Sequence, residues 1–260
     1  MNARTYLVTG AASGIGKATA ELLNSRGHRV IGADLTGTDI NADLSTVVGR
    51  ETLVKQATEL SGGVLDAVIA VAGLSHPIPV TASVNYYGAI ATLEGLRPLL
   101  TRSAAPRAVV VDSMASLQSY DEELVQLFLT GTEAQAVARC AELVESPATG
   151  HQIYSSSKRA LARWLRTTAT TPEWAGAGIP LNAIAPGVVL TPMTKELVAT
   201  SEGRAKLNEQ VPMPLNGPFD PIVAARLLVW LADGENSHLC GQVIFVDGGY
   251  DAVLRGDSTW

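Results

Sequence analysis

The chain has 260 residues, 47% of them hydrophobic and 17% charged, and 25 acidic against 19 basic residues give a formal net charge of -6. That length can bury one sizeable core, as one α/β domain or two small ones. The absence of any Lys/Arg-rich run argues against a nucleic-acid partner, and no apolar stretch approaches the roughly 18 residues that cross a bilayer.

Short β-branched runs alternate with longer helical patterns along the chain. Tyr6-Leu7-Val8 reads as a buried strand and Gly14 to Arg26 as a helix. Arg29 to Ala33, Ala67 to Val71, Ala108 to Val111, Leu181 to Ile184 and Val243 to Val246 read as further strands. Their apolar residues fall on consecutive positions, as in strands covered on both faces. Helices between them imply crossover connections and a mostly parallel sheet. No linker, low-complexity tract or solenoid-period repeat divides the chain. The expected fold class is α/β: a single-domain Rossmann-like doubly wound parallel sheet over residues 1–260. Structured-looking sequence begins at Tyr6, so a signal peptide is not expected, and a soluble cytoplasmic protein is.

Two segments break the alternation. Residues 117–145 follow a strand and predict a helical insertion, with Ala134, Val137, Ala138, Ala141 and Val144 on one face at 3.6 spacing. Residues 191–220 carry Pro192, Pro212, Pro214 and Pro218 and predict an irregular lid or binding loop. Its Met193, Leu197, Val198, Leu207, Val211, Met213, Leu215 and Phe219 are interleaved with charges. They suit an apolar wall over a bulky substrate, and core packing equally well.

Cys140 and Cys240 read as buried free thiols rather than a disulfide framework. His28, His76, His151 and His238 are too scattered for a metal site, and none is expected. His151 reads as a helix-start or surface residue. Trp164, Trp174 and Trp230 read as packing groups, and Trp260 as a terminal residue that is either loose or pinned at a subunit contact.

Thr9-Gly10-Ala11-Ala12-Ser13-Gly14-Ile15-Gly16 lies between the first strand and the first helix. Glycines permit the tight turn and the close approach of a diphosphate, whose charge is favoured at a helix N-terminus. The spacing is G-x-x-x-G-x-G rather than G-x-G-x-x-G, and a plain turn is the alternative; the strand-turn-helix context favours phosphate binding. Asp34 closes the second strand, where a carboxylate accepts hydrogen bonds from ribose hydroxyls and repels a 2′-phosphate. No base neighbours it in Ala33-Asp34-Leu35-Thr36, and Ser13 stands in the turn, so NAD(H) is expected over NADP(H). The alternative is that Asp34 merely ends a strand.

Tyr154-Ser155-Ser156-Ser157-Lys158 puts a phenol and an ammonium on one helical face. A nearby cation favours phenolate, so Tyr154 can serve as acid for ketone reduction and base for alcohol oxidation. Alone, such a pair is usually a surface helix pair. Ser113, however, follows a strand at the carboxyl edge where open parallel sheets bind ligands. Asn85 offers an amide able to fix a water or a backbone group.

Together these residues resemble the short-chain dehydrogenase/reductase family over almost the whole chain. The carriers are Thr9 to Gly16, Asp43-Leu44-Ser45, Ala72-Gly73, Asn85, Ser113, Tyr154 with Lys158, Pro186-Gly187 with Thr191, and Val246-Asp247-Gly248-Gly249. The resemblance implies four catalytic residues. Tyr154 exchanges the proton with the substrate oxygen and Ser113 orients that oxygen. Lys158 holds the nicotinamide ribose and depresses the Tyr154 pKa, while Asn85 supports a water relay. It implies cofactor binding by Gly10, Ser13, Gly14, Ile15, Gly16, Asp34, Ala72, Gly73, Tyr154 and Lys158. Asp43 and Leu44 belong by the adenine, Thr191 contacts the carboxamide end of the cofactor, and Pro186, Gly187 and Val189 also bind it. One departure is plain: the family's Asn-Asn-Ala-Gly is here Ala70-Val71-Ala72-Gly73, so backbone support for that loop must come from elsewhere.

Ser113 and Tyr154 are 41 positions apart, where the family has roughly a dozen, a short connection. The surplus and the ending Gly248-Gly249-Tyr250-Asp251-Ala252-Val253-Leu254-Arg255 look like the bacterial 3α-hydroxysteroid dehydrogenase/carbonyl reductase group. That likeness implies NAD(H)-dependent interconversion of a 3α-alcohol and ketone, with wider carbonyl reduction. The insertion is expected to cover a surface used for oligomer contacts and to favour a homodimer over a tetramer, unless it is a solvated ornament. The rivals are a reductase of another alcohol or ketone, sugar-alcohol or acyl-chain, and an NAD(H)-sensing protein without turnover.

Overall fold

In chain order, the computed structural model, which describes residues 3–259, forms β1 (Thr5–Thr9), α1 (Gly14–Ser25), β2 (Arg29–Asp34), β3 (Ile40–Asn41), α2 (Val47–Ser61) and β4 (Ala67–Ala70). There follow α3 (Val80–Ala82), a π-helical turn Ser83–Gly88, α4 (Ala89–Leu100), β5 (Arg107–Val111) and a 3₁₀ turn Met114–Leu117. Then come α5 (Glu122–Thr130), α6 (Glu133–Leu143), α7 (Pro147–Gly150), α8 (Gln152–Thr168) and β6 (Leu181–Pro186). The last elements are α9 (Ser201–Gln210), α10 (Pro221–Leu231), β7 (Val243–Val246) and α11 (Tyr250–Arg255). Trp260 lies outside the described residues.

The strands make one seven-stranded sheet of order β3-β2-β1-β4-β5-β6-β7, every pair parallel. Consecutive residues serve opposite faces, which is why the strands read as unbroken apolar runs. Leu7, Val68, Val110 and Ala183 pack on one side with Leu53, Leu93 and Leu161. Tyr6, Val8, Ile69, Val109 and Ile184 pack on the other with Leu23 and Leu228. The expected doubly wound α/β fold is the observed one. Strand β3 was invisible in the sequence because two residues carry no periodic signal.

The insertion differs from expectation in two ways. It is three short helices, stopped at Gly131 and again at Ser146-Pro147, each opened by a side-chain cap from Asp121, Thr132 or Ser146. The inward face of α6 is Ala136, Cys140 and Leu143, not the stripe through Ala134, Ala138 and Ala141, which is exposed. Both stripes are apolar, so spacing could not choose between them. Ion pairs bracketing the inner stripe do choose: Glu133 takes two bonds from Arg50 at 2.6 and 2.7 Å, and Arg139 donates to Asp121 at 2.8 Å. Cys140 is buried, whereas Cys240 is only half-buried; both are free.

The region 191–220 is not wholly irregular, since α9 occupies ten of its residues behind a Thr200 cap. Among the tryptophans, Trp174 is buried and donates to Glu94, while Trp230 is half exposed.

Arg50 also donates to the carbonyls of Leu44 and Ser83 at 2.8 and 3.1 Å, joining α2, the turn before it and the insertion. Glu133→Ala would leave that guanidinium without its counter-charge. A loss of about 2 kcal/mol is expected by urea unfolding, with a further loss when Arg50→Ala is added, because the Leu44 and Ser83 carbonyls then lose their donor as well.

Candidate active site

The order of strands reverses between β1 and β4, the switch point at which open parallel sheets bind ligands. The loops leaving the carboxyl ends of β1, β2, β4, β5 and β6 surround a cavity of about 1200 Å³, larger than the roughly 300–1,000 Å³ of a drug-sized site. Gly10, Ser13, Gly14, Ile15, Gly16, Asp34, Asp43, Leu44, Ala72, Gly73, Ser113, Tyr154, Lys158, Pro186, Gly187, Val189 and Thr191 all line it. Asn85 does not; it stands behind the wall, 1% exposed.

At one end the turn after β1 is folded tightly on itself. Gly10 has φ +67°, and a Cβ on Gly16 would lie 2.1 Å from the Gly10 carbonyl oxygen, so α1 can sit this close only with glycine there. Ser13 precedes α1 in extended conformation and its hydroxyl makes no cap bond, leaving the first N–H groups of the helix facing the cavity. Asp34 accepts from the Ala12 N–H at 3.0 Å and the Leu35 N–H at 2.7 Å, which fixes its carboxylate beside the turn. A glycine cradle, free helix N–H groups and a fixed carboxylate at the end of β2 fit a dinucleotide whose ribose hydroxyls are unphosphorylated.

The missing amides after β4 are replaced by two other residues. Thr9 Oγ1 accepts from the Val71 and Ala72 N–H groups at 3.0 and 3.1 Å. Asn85, in the π-helical turn, holds both backbone groups of Leu74: its Oδ1 accepts from the N–H and its Nδ2 donates to the carbonyl, each at 2.8 Å. A π turn offsets the side chain relative to an α-helix, a distortion typical of functional positions. Of the two roles open to this amide, fixing backbone is the one observed.

At the other end, α8 carries a run of polar residues that bond the segments around it. Its three consecutive serines each secure a different segment. Ser155 donates to the Ser119 carbonyl, Ser156 accepts from the Asp121 N–H at 2.9 Å, and Ser157 accepts from Asn85 Nδ2 at 3.2 Å. The first two hold the start of the insertion. Lys158, 3% exposed, donates to the Val111 carbonyl at 2.8 Å, and its Nζ lies 5.9 Å from the centre of the Tyr154 ring. Ser113 caps the 3₁₀ turn by accepting from the Ala115 N–H at 3.1 Å, and its hydroxyl stands near the Tyr154 phenol.

The expected depression of the Tyr154 pKa is not observed. Burial pushes the phenol up to about 12; the Ser113 hydroxyl pulls it down and the Asp112 charge adds to the rise. Burial likewise lowers Lys158, against the stabilising charge of Asp112, and raises Asp112 against that of Lys158. Asp112 was not singled out in the sequence. Its signal was there: a carboxylate directly after an apolar strand and directly before Ser113.

The rest of the wall is mostly apolar. The lid gives Met193, Leu197, Leu207 and Val211, the 3₁₀ turn gives Met114, and the end of the insertion gives Val144, Pro147 and His151. Leu207, Val211 and Met213 also pack with Val188 and Tyr250 in a small cluster, so the lid residues serve both as wall and as core. His151 is the exposed residue preceding α8. Val144 stood only on the stripe predicted to pack, and nothing in the sequence marked Pro147; the place of both depends on how the chain folds back before α8.

Comparison with known proteins gives a consistent result. A family model described as enoyl-(acyl carrier protein) reductase matches residues 130–251. The 3-alpha-hydroxysteroid dehydrogenase/carbonyl reductase of Comamonas testosteroni is 33% identical over 96% of this chain and 97% of its own length. The 3-oxoacyl-[acyl-carrier-protein] reductase FabG of Thermotoga maritima is 28% identical over 96% of this chain and 98% of its own. The crystal structure of 3-alpha-hydroxysteroid dehydrogenase from Pseudomonas sp. B-0831, complexed with NADH, superposes with a TM-score of 0.88 at 37% identity, covering 97% of this chain and 99% of that one. With a relative this similar along nearly its whole length, the chain belongs to the short-chain dehydrogenase/reductase family and is an oxidoreductase.

Proposed function

We propose that the chain is an NAD(H)-dependent enzyme interconverting a hydrophobic secondary alcohol and its ketone, with a 3α-hydroxysteroid as the favoured substrate class. The observation that carries this reading is the meeting of Ser113, Tyr154 and Lys158 on one cavity wall, opposite an apolar wall and continuous with the glycine turn. The names of the Comamonas and Pseudomonas relatives, and the NADH in the latter's structure, support the substrate class and the cofactor.

NAD(H), when bound, supplies the hydride chemistry. The Gly10–Gly16 turn would hold its diphosphate and Asp34 its adenosine ribose. Asp43 and Leu44 would flank the adenine, and Ala72 and Gly73 would leave room for close approach. Lys158 would hold the second ribose, with Pro186, Gly187, Val189 and Thr191 at the far end. Ser113 orients the substrate oxygen, and Tyr154 Oη gives a proton to it in reduction or takes one in oxidation. Asn85 acts from behind by fixing Leu74, the edge of the loop that Gly73 and Lys158 approach.

An acyl-carrier partner would call for cations at the mouth, and among the described residues lining the cavity Lys158 is the one Lys or Arg. A purely sensing role would not need Ser113, Tyr154 and Lys158 brought together. Among the described residues no helix is long and apolar enough to cross a membrane. The insertion lies on the outer faces of α8 and the π turn, with Phe128 against Tyr86 and Tyr87, which supports a homodimer over a tetramer.

Four outcomes are expected. With NAD+ and androsterone, Tyr154→Phe loses at least ~10²-fold in turnover while NADH binding, followed by fluorescence, is retained; full turnover by the variant would sink the mechanism. A phenol standing at about 12 is protonated at neutral pH, so ketone reduction should be flat from mildly acidic to neutral pH and alcohol oxidation should rise with pH. Asp34→Ala should weaken NAD+ binding and narrow its preference over NADP+ by roughly tenfold, the worth of about one charge-assisted hydrogen bond. Light scattering should give a dimer; a tetramer would remove the role proposed for the insertion.

A further inference from the structure

Asp112 directly follows β5, and its N–H still donates to the Ile184 carbonyl at 2.8 Å, so its backbone is held as firmly as the strand. Its side chain forms part of the cavity wall yet is 2% exposed. Neither carboxylate oxygen has a hydrogen-bond partner of good geometry, although the Ser113 N–H and the Ser116 hydroxyl stand near. Leaving a buried carboxylate so poorly paired is costly. The titratable groups that face it are Lys158 and Tyr154, both from α8. Lys158 has the same problem in the opposite sign: its ammonium is buried and its one protein hydrogen bond among the described residues goes to Val111, the neighbour of Asp112.

We infer that Asp112 is a positioning residue of this active site, the buried counter-charge that keeps the Lys158 ammonium charged and seated on the Val111 carbonyl and that sets the pH window of the Tyr154–Lys158 pair. The inference rests on the roles proposed above for Tyr154 and Lys158. Its signs are definite. A negative charge near Lys158 makes the ammonium hold its proton to higher pH, and near Tyr154 makes the phenol hold its proton to higher pH as well. Removing the charge therefore moves both limbs of the pH profile in the same direction, downward. A residue that only packs would lower the rate at every pH and leave both limbs where they are.

Asp112→Asn keeps the shape and removes the charge; Asp112→Ser, which is smaller, carries the same test if the first variant does not fold. Turnover of androsterone with NAD+ is measured from pH 7 to about pH 12, reaching the alkaline range where the buried phenol titrates. Both limbs are expected to move down by about one unit. The second readout needs neither substrate nor cofactor. The ultraviolet tyrosinate absorbance of each protein, less that of its Tyr154→Phe counterpart, should appear about one pH unit lower in Asp112→Asn than in wild type. In wild type, the infrared band of a buried carboxylic acid should be gone at the alkaline end of the range. Unmoved limbs, a uniform loss of rate, an unmoved tyrosinate titration, or an acid band persisting at alkaline pH would each overturn the inference. If Tyr154→Phe turns over like wild type, it is the mechanism that fails, and the tyrosinate titration still decides the electrostatic claim.

Discussion

Lys158 is an ammonium with 3% of its surface exposed, and a cation in that position is tolerable only where acceptors and opposite charge are already waiting. Here they belong to one short stretch: the Val111 carbonyl at the end of β5 and the Asp112 carboxylate after it. That requirement ties the register of α8 to the end of β5. Once the ammonium is seated, Tyr154, one helical turn earlier, is brought to Ser113, and the serines between them face the insertion and Asn85. The reactive groups are thus consequences of one buried charge finding its partners across two elements that no loop connects directly.

The insertion meets the same requirement from outside. A chain that leaves β5, forms three helices and returns as α8 could deliver α8 in many orientations. It is held instead by bonds from Ser119 and Asp121 to two α8 serines, by Phe128 against Tyr86 at 4.8 Å, and by the Arg50–Glu133 pair reaching α2. Phe128 packs on residues immediately following Asn85, so the same helix braces the π turn that fixes Leu74. Arg50 extends the brace to the carbonyl of Leu44, which lines the cavity and belongs to the turn before α2. One peripheral subdomain therefore touches the supports of both ends of the site.

The legible part of the molecule was the part written in local pattern. Apolar runs on consecutive positions gave six of the seven strands, and the glycine turn, Asp34, Ser113 and the Tyr154–Lys158 pair could be placed because each sits at a strand end or on one helix face. What could not be read depends on tertiary choice. The α6 sequence offers two apolar stripes, and distant ion pairs decide which turns inward. Asp112 was passed over because only its burial shows it to be an unpaired charge. The sign of the Tyr154 shift was misjudged because helix spacing reports only that Lys158 is near, while burial and Asp112 set the outcome.

The division of labour in the cavity follows from rigidity. The groups proposed to react sit just after β5 and on α8, where the Asp112 N–H bond to the Ile184 carbonyl and the Lys158 bond to the Val111 carbonyl tie them to the sheet. The apolar remainder of the cavity wall, proposed to meet the rest of the substrate, comes from segments added around that frame: Met193, Leu197, Leu207 and Val211 from the lid, Val144 and Pro147 from the stretch before α8. An apolar wall discriminates by area, at about 25 cal/mol per Å² removed from water, so a fused-ring alcohol gains on each face it buries while a polyol must strip its hydroxyls of water against carbon. The wall thus selects for bulk and against polarity without specifying a stereocentre. In the proposed mechanism, which hydroxyl reacts is left to the one place where direction is fixed, between Ser113 Oγ and Tyr154 Oη.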